Sequence, residues 1–134
     1  RLQAKRLVVV GISIGSGVAA GLSTQRPVDG LILVTPFDSI GAVARQKFPW
    51  LPIGLLLRHD LRSDDYLRGS SVPVAIIAAE QDGIIPPART KALRGAVGNL
   101  VMTATIPGTE HNNIAFHPQF RERMREALAA VLAE

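Results

Sequence analysis

Leu7, Val8, Val9 and Val10 make an apolar, mostly β-branched run that breaks at Gly11 and gives way to Val18, Ala19, Ala20 and Leu22. A short continuous apolar run bounded by glycines reads as a buried strand, here followed by a tight turn and a helix. The pattern recurs. Residues 31–34 form a second run closed by Thr35 and Pro36, residues 74–79 a third entered through Pro73, and residues 100–106 a fourth ended by Pro107 and Gly108. A helical stretch follows each. Pro87 suits the first turn of a helix running to about residue 97. Phe120, Met124, Ala127, Leu128 and Val131 fall on one stripe of a last helix whose other side carries Arg and Glu. Continuously apolar strands alternating with helices predict an α/β chain: a parallel β-sheet with helices on both faces, the last helix packed on it.

With 134 residues, 47% of them hydrophobic, the chain has material for one core, so residues 1–134 are expected to form a single domain. The stretch 48–68 interrupts the alternation with Pro49, Trp50, Pro52 and Leu55, Leu56 and Leu57, and reads as either a cap segment or a self-packed surface connection. No apolar run approaches the roughly 20 residues of a membrane-spanning helix. The start at Arg1 rather than Met reads as a cut. The net charge of +4 invites a nucleic-acid partner, but Arg and Lys are spread along the chain, and the densest run, residues 121–126, is interleaved with Glu122 and Glu126. Nucleic-acid binding is not expected. The absence of cysteine excludes disulfides and thiolate metal sites and leaves the compartment open.

Gly11, Ile12, Ser13, Ile14 and Gly15 spell GxSxG between the first strand and the first helix. A serine hydroxyl becomes a useful nucleophile when a sharp strand-to-helix turn lifts it clear of the sheet, and such a turn wants small neighbours two residues to either side. The same turn aims the Ile14 N–H at the place where an oxyanion would form. Gly15, Gly17 and Gly21 overlap this as GxGxxxG, with Asp38 after the second strand where a ribose-binding acid could lie. A dinucleotide turn should open at the strand end, whereas four residues including Ser13 come first. Close packing of helix against sheet explains these small residues better.

A nucleophilic serine needs a base, and the base an acid to hold its tautomer. Among three histidines, His111 lies in the turn after the fourth strand; His117, beside Pro118, suits a helix cap, and His59, beside Asp60 and Arg62, suits solvent. Asp82 follows the third strand in the turn before Ile84, Ile85 and Pro86, with Asp38 the alternative acid and Glu80 a weaker one. Parallel sheets gather their sites outside the C-terminal strand ends, so Ser13, Asp82 and His111 can converge there. Their order along the chain is Ser, Asp, His.

Three segments, VVVGISIGSGVAAGL (8–22), VPVAIIAAEQDGIIPP (72–87) and IPGTEHNNI (106–114), resemble the α/β-hydrolase superfamily, more narrowly its hydrolase-domain and serine-aminopeptidase-like esterase members. The resemblance implies Ser13 as nucleophile, the Ile14 N–H as one oxyanion donor, Asp82 as acid and His111 as base, cleaving an ester or amide of a small-molecule substrate with no metal or organic cofactor. Glu110 stands where that family often has glycine. The fold it resembles has a sheet of about eight strands, of which this chain supplies the last four. The first strand would then be an exposed edge, expected to pair with a missing N-terminal half or with a copy of itself. Apolar residues around Trp50 and 55–57 suggest a hydrophobic acyl or leaving group. The alternatives are a non-catalytic hydrolase-like scaffold and, behind it, a dinucleotide-binding domain.

Overall fold

A computed structural model describes residues 5–133, without the side chains of Leu55 and Leu56; Arg1 lies outside the described residues. Four strands, β1 (Val8–Ile12), β2 (Gly30–Val34), β3 (Val74–Ala79) and β4 (Leu100–Ile106), form one sheet in the order β1-β2-β3-β4. All three pairings are parallel. Crossovers come from α1 (Ile14–Ser23) after β1, from α2 (Ile40–Lys47), α3 (Ile53–Leu56) and α4 (Ser63–Leu67) after β2, and from α5 (Pro87–Ala96) after β3. The chain ends in α6 (Pro118–Leu132).

Every residue of β2 and β3 is buried, and the two-residue period of a strand splits them between two cores. Ile32, Val34, Ala75 and Ile77 face Ala127 and Val131 of α6. Leu31, Leu33, Val74 and Ile76 face Ala19 and Ala20 of α1, Leu67 of α4 and Leu93 of α5. Each fully buried Leu, Ile or Val contributes about 1.5–3 kcal/mol, so these two strands dominate the stability of the sheet. Gly30 marks where α6 crosses β2, since a Cβ there would lie 2.7 Å from Val131 Cβ.

The expected helix cover on both faces is complete only over the two central strands. Val10 and Ile12 on β1 are 46% and 52% exposed, and Val101 on β4 is exposed as well. An apolar run signals a strand but does not distinguish centre from edge; β1 is expected to lie at an edge only because the fold it resembles has further strands. The stripe of α6 is also narrower than its spacing suggests: Phe120, Met124, Ala127 and Val131 turn inward, while Leu128 is exposed. Within 48–68, Leu67 is buried against the sheet and Trp50 is exposed.

The register brings the strands to a common edge, with Ile12 beside Val34, Val34 beside Ile77 and Ala79 beside Ile106. The turns that follow β1, β3 and β4 therefore emerge together.

Candidate active site

Ser13 sits between β1 and α1 with φ 55° and ψ −121°, a conformation that costs an L-residue roughly 1–3 kcal/mol. The surroundings hold it there. The Ser13 N–H donates to Val34 O at 2.9 Å, and the Ser16 N–H and Oγ both donate to Ser13 O, at 2.9 and 2.5 Å. Gly11 supplies the room, because a Cβ there would fall 2.7 Å from Ser16 Cα and 2.8 Å from Ala19 Cβ. Gly15 differs from the expectation: a Cβ there meets nothing within 4 Å. The close approach of α1 to β1 is made on the Gly11 side of the turn alone.

Although Ser13 occupies the N-cap position of α1, its side chain makes no capping bond. Its Oγ lies instead 2.8 Å from His111 Nε2, across 98 residues of sequence. His111 Nδ1 lies 2.9 Å from Asp82 Oδ2. The side chains of His111 and Asp82 are only 10% and 6% exposed. In the tautomer that donates Nδ1–H to Asp82, Nε2 accepts from the Ser13 hydroxyl. The other Asp82 oxygen, Oδ1, accepts from the Ile84 and Ile85 N–H groups at 2.9 and 2.7 Å, which fixes the carboxylate plane.

The loops carrying Asp82 and His111 are cross-linked. Gln81 N–H donates to Thr109 O at 2.8 Å, and Gly108 N–H to Glu80 Oε1 at 3.3 Å. Buried Thr109 turns its Oγ1 onto Ile106 O at 2.7 Å. Glu110, in the place of a glycine, is accommodated by Asn113, whose Oδ1 accepts its N–H at 2.8 Å. Sequence reasoning missed Thr109 and Asn113, which carry no motif. It also missed the N–H donors to Asp82, for which the Asp-Gly step was the signal, since it favours a side chain that accepts from the backbone two residues on.

The remaining candidates lie outside this relay. Asp38 is buried and paired with Arg89, Nη1 to Oδ2 at 3.0 Å, with no bond to His111. His117 caps α6, its Nδ1 accepting from the Gln119 N–H at 3.2 Å, and His59 is exposed. Gly17 and Gly21 let α1 approach Leu61 and the Tyr66 ring, so they pack against the segment around α4, and Ala19 and Ala20 are the ones that face the sheet. As the first residue of α1, Ile14 has no acceptor for its N–H within the helix. Beside Ser13 opens a cleft of about 210 Å³ lined by Ile14, Phe37, Ile40, Val43, Ile84 and Ile85, with no charged side chain on its wall. Among the described side chains, its apolar surface comes from residues outside 48–68. Among the described residues, no three His, Asp or Glu side chains cluster as a metal site, and no helix is long and apolar enough to cross a membrane.

No family model matches the sequence. An uncharacterized protein of Mycobacterium tuberculosis is 34% identical over 108 residues, covering 81% of this chain and 38% of that protein. The lysophosphatidylserine lipase ABHD12 of Danio rerio is 28% identical over 158 residues, covering 97% of this chain and 41% of the lipase. The chain thus spans well under half the length of the curated relatives it matches. Among solved structures, the acylaminoacyl peptidase of Pyrococcus horikoshii superposes with a TM-score of 0.68 at 17% identity, over 92% of this chain and 22% of that one. An esterase of Mycobacterium tuberculosis superposes at 0.64 and 15% identity, over 91% and 60%. The parallel sheet, its crossovers and these neighbours define an α/β-hydrolase fold. The chain shares that fold over more than nine-tenths of its length.

Proposed function

We propose that this chain carries the nucleophile, acid and base of a serine hydrolase that cleaves an ester or amide bond through an acyl-serine. The observation that carries the reading is the continuous path from Ser13 Oγ to His111 Nε2 at 2.8 Å and from His111 Nδ1 to Asp82 Oδ2 at 2.9 Å. Ser13 Oγ attacks the carbonyl carbon as its proton passes to Nε2, and Asp82 stabilises the imidazolium. The Ile14 N–H, at the positive end of α1, donates to the oxyanion of the tetrahedral intermediate. Collapse breaks the bond to the leaving alcohol or amine, which takes the proton from Nε2. Water then repeats the sequence on the acyl-serine and releases the acid.

The cleft beside Ser13 supports an apolar acyl group. Its volume of about 210 Å³ is below the roughly 300–1,000 Å³ of a pocket for a drug-sized ligand, so a short acyl group fits it best. In the same reading β1, paired on one side only among the described residues, joins a further strand from an N-terminal half or from a second copy. Residues 48–68, which follow the α2 wall of the cleft, serve as a cap.

The test is fluorophosphonate labelling of this chain, with the modified peptide located by mass spectrometry, beside Ser13→Ala and His111→Ala. Labelling at Ser13 that both substitutions suppress is expected. If Ser13 stays unlabelled both in the chain alone and in a longer protein that includes it, the chain is a hydrolase-like scaffold and the reading fails.

A further inference from the structure

From Ser39 to His59 the sequence holds Arg45, Lys47 and Arg58 and not one acidic residue. Within that stretch the six consecutive residues Arg45, Gln46, Lys47, Phe48, Pro49 and Trp50 are all exposed. They leave the body at the end of α2, where the Phe48 N–H donates to Ala44 O at 2.7 Å and the Leu51 N–H turns back onto Phe48 O at 3.0 Å. Phe48 and Trp50 meet edge to face, ring centroids 6.3 Å apart and planes at 83°. Trp50, the chain's single tryptophan, is 76% exposed, and Phe48 is 48% exposed. The acidic residue next along the chain, Asp60, lies at the start of α2, where its Oδ1 accepts the Gly41 N–H at 2.8 Å and its Oδ2 and Arg45 Nη1 both flank Gly41.

Two large aromatics held against each other in water, flanked by cations and by no counter-charge on their own segment, form a costly surface in a purely aqueous setting. The combination matches the interface of a bilayer, where indole and phenyl rings settle at headgroup depth and Lys or Arg meets anionic lipid. We propose that residues 45–50 are a membrane-surface foot that seats this protein on an anionic lipid bilayer. The foot is joined to the site. Lys47 Nζ donates to Gly83 O at 2.8 Å, in the loop that carries Asp82, and α2 contributes Ile40 and Val43 to the cleft wall. Seating the foot brings the cleft to the lipid surface. The inference is independent of any role for Ser13, because it concerns binding alone.

Trp50 is its own reporter. Emission is recorded as the protein is titrated with phosphatidylcholine vesicles with and without phosphatidylglycerol, and binding is quantified in parallel by co-sedimentation. A blue shift with the anionic vesicles alone, reversed by salt, is the expected result. Each cation near an anionic surface contributes about fivefold, so Arg45→Gln with Lys47→Gln should weaken partitioning about 25-fold. Trp50→Ala, read by co-sedimentation, should weaken it by about tenfold or more. The control pair Arg121→Gln with Arg125→Gln, on exposed positions of α6, should leave it within about twofold. No shift with anionic vesicles overturns the proposal, as does an equal shift with neutral ones. So does an equal loss in the α6 pair, which would make the attraction a property of net charge. A blue shift that grows with protein concentration in the absence of lipid also overturns it, in favour of a second copy covering the aromatics.

Discussion

His111 and Asp82 meet at 2.9 Å through Nδ1 and Oδ2, and the carboxylate oxygen that His111 leaves free is held by the Ile84 and Ile85 N–H groups. Both oxygens of Asp82 are therefore committed, one to orientation and one to the imidazole. Replacing the carboxylate by an amide keeps the shape and removes the acceptor that puts the proton on Nδ1. Asp82→Asn should lower the rate of Ser13 acylation by a fluorophosphonate, and of ester hydrolysis, by roughly 10³- to 10⁴-fold. Asp38→Asn should change either rate by less than about threefold, provided the protein stays folded. Equal losses in the two variants would sink the assignment of Asp82.

Asp38 has a different task. Its pairing with Arg89 ties the end of β2 to α5 across 51 residues, with side chains only 11% and 25% exposed. Arg89→Met leaves a carboxylate in a dry site without its partner, and should cost about 1–3 kcal/mol in urea unfolding. Adding Asp38→Asn to that variant should recover part of the loss, because the unpaired charge is gone. If the double variant loses as much as the two singles added together, the pair is not coupled as its geometry states.

The two glycines of GxSxG should respond in opposite ways. Gly11→Ala forces a methyl against the Gly15 carbonyl oxygen, Ser16 Cα and Ala19 Cβ, so the turn that carries Ser13 must shift. A stability loss of about 1–3 kcal/mol, together with slower labelling of Ser13, is expected. Gly15→Ala meets open space in the first turn of α1, where alanine is the better helix former, and should be neutral or stabilising by up to about 1 kcal/mol. Thermal melts of both proteins decide the matter.

Much of this was legible in the sequence because period and punctuation report local geometry directly. The four strands were placed to within two residues, and β3 and β4 begin and end where Pro73, Pro107 and the β-branched runs put them. The relay was legible because the C-terminal ends of parallel strands converge, whatever lies between them. The pattern failed where the answer depends on neighbours across space. Gly11 and Gly15 look alike in the motif, yet only one lies against α1. Asp38 and Asp82 both follow strands, and Arg89, 51 residues on from Asp38, is what withdraws the first. The apolar wall at Ser13 comes from Phe37, Ile40, Val43, Ile84 and Ile85, scattered over three loops and helices, and no sequence window contains them together.

That wall sets a further expectation, on acyl length. The cleft is small, about 210 Å³, and beyond its end a chain must bend into water, so each added methylene stops contributing its usual factor of about four. In a protein that labels at Ser13, kcat/KM for p-nitrophenyl esters should climb from acetate over the short acyl chains and then level or fall. Val43 lies on the α2 side of the cleft, so Val43→Phe should fill part of it and move the optimum about two carbons shorter, while Val43→Ala should move it longer by about one. The labelling rate with a small fluorophosphonate should stay nearly constant in both variants, which separates a change in the wall from damage to the Ser13, His111 and Asp82 relay. An optimum that does not move when Val43 changes size would mean that the acyl group lies elsewhere, with the cleft left to the leaving group.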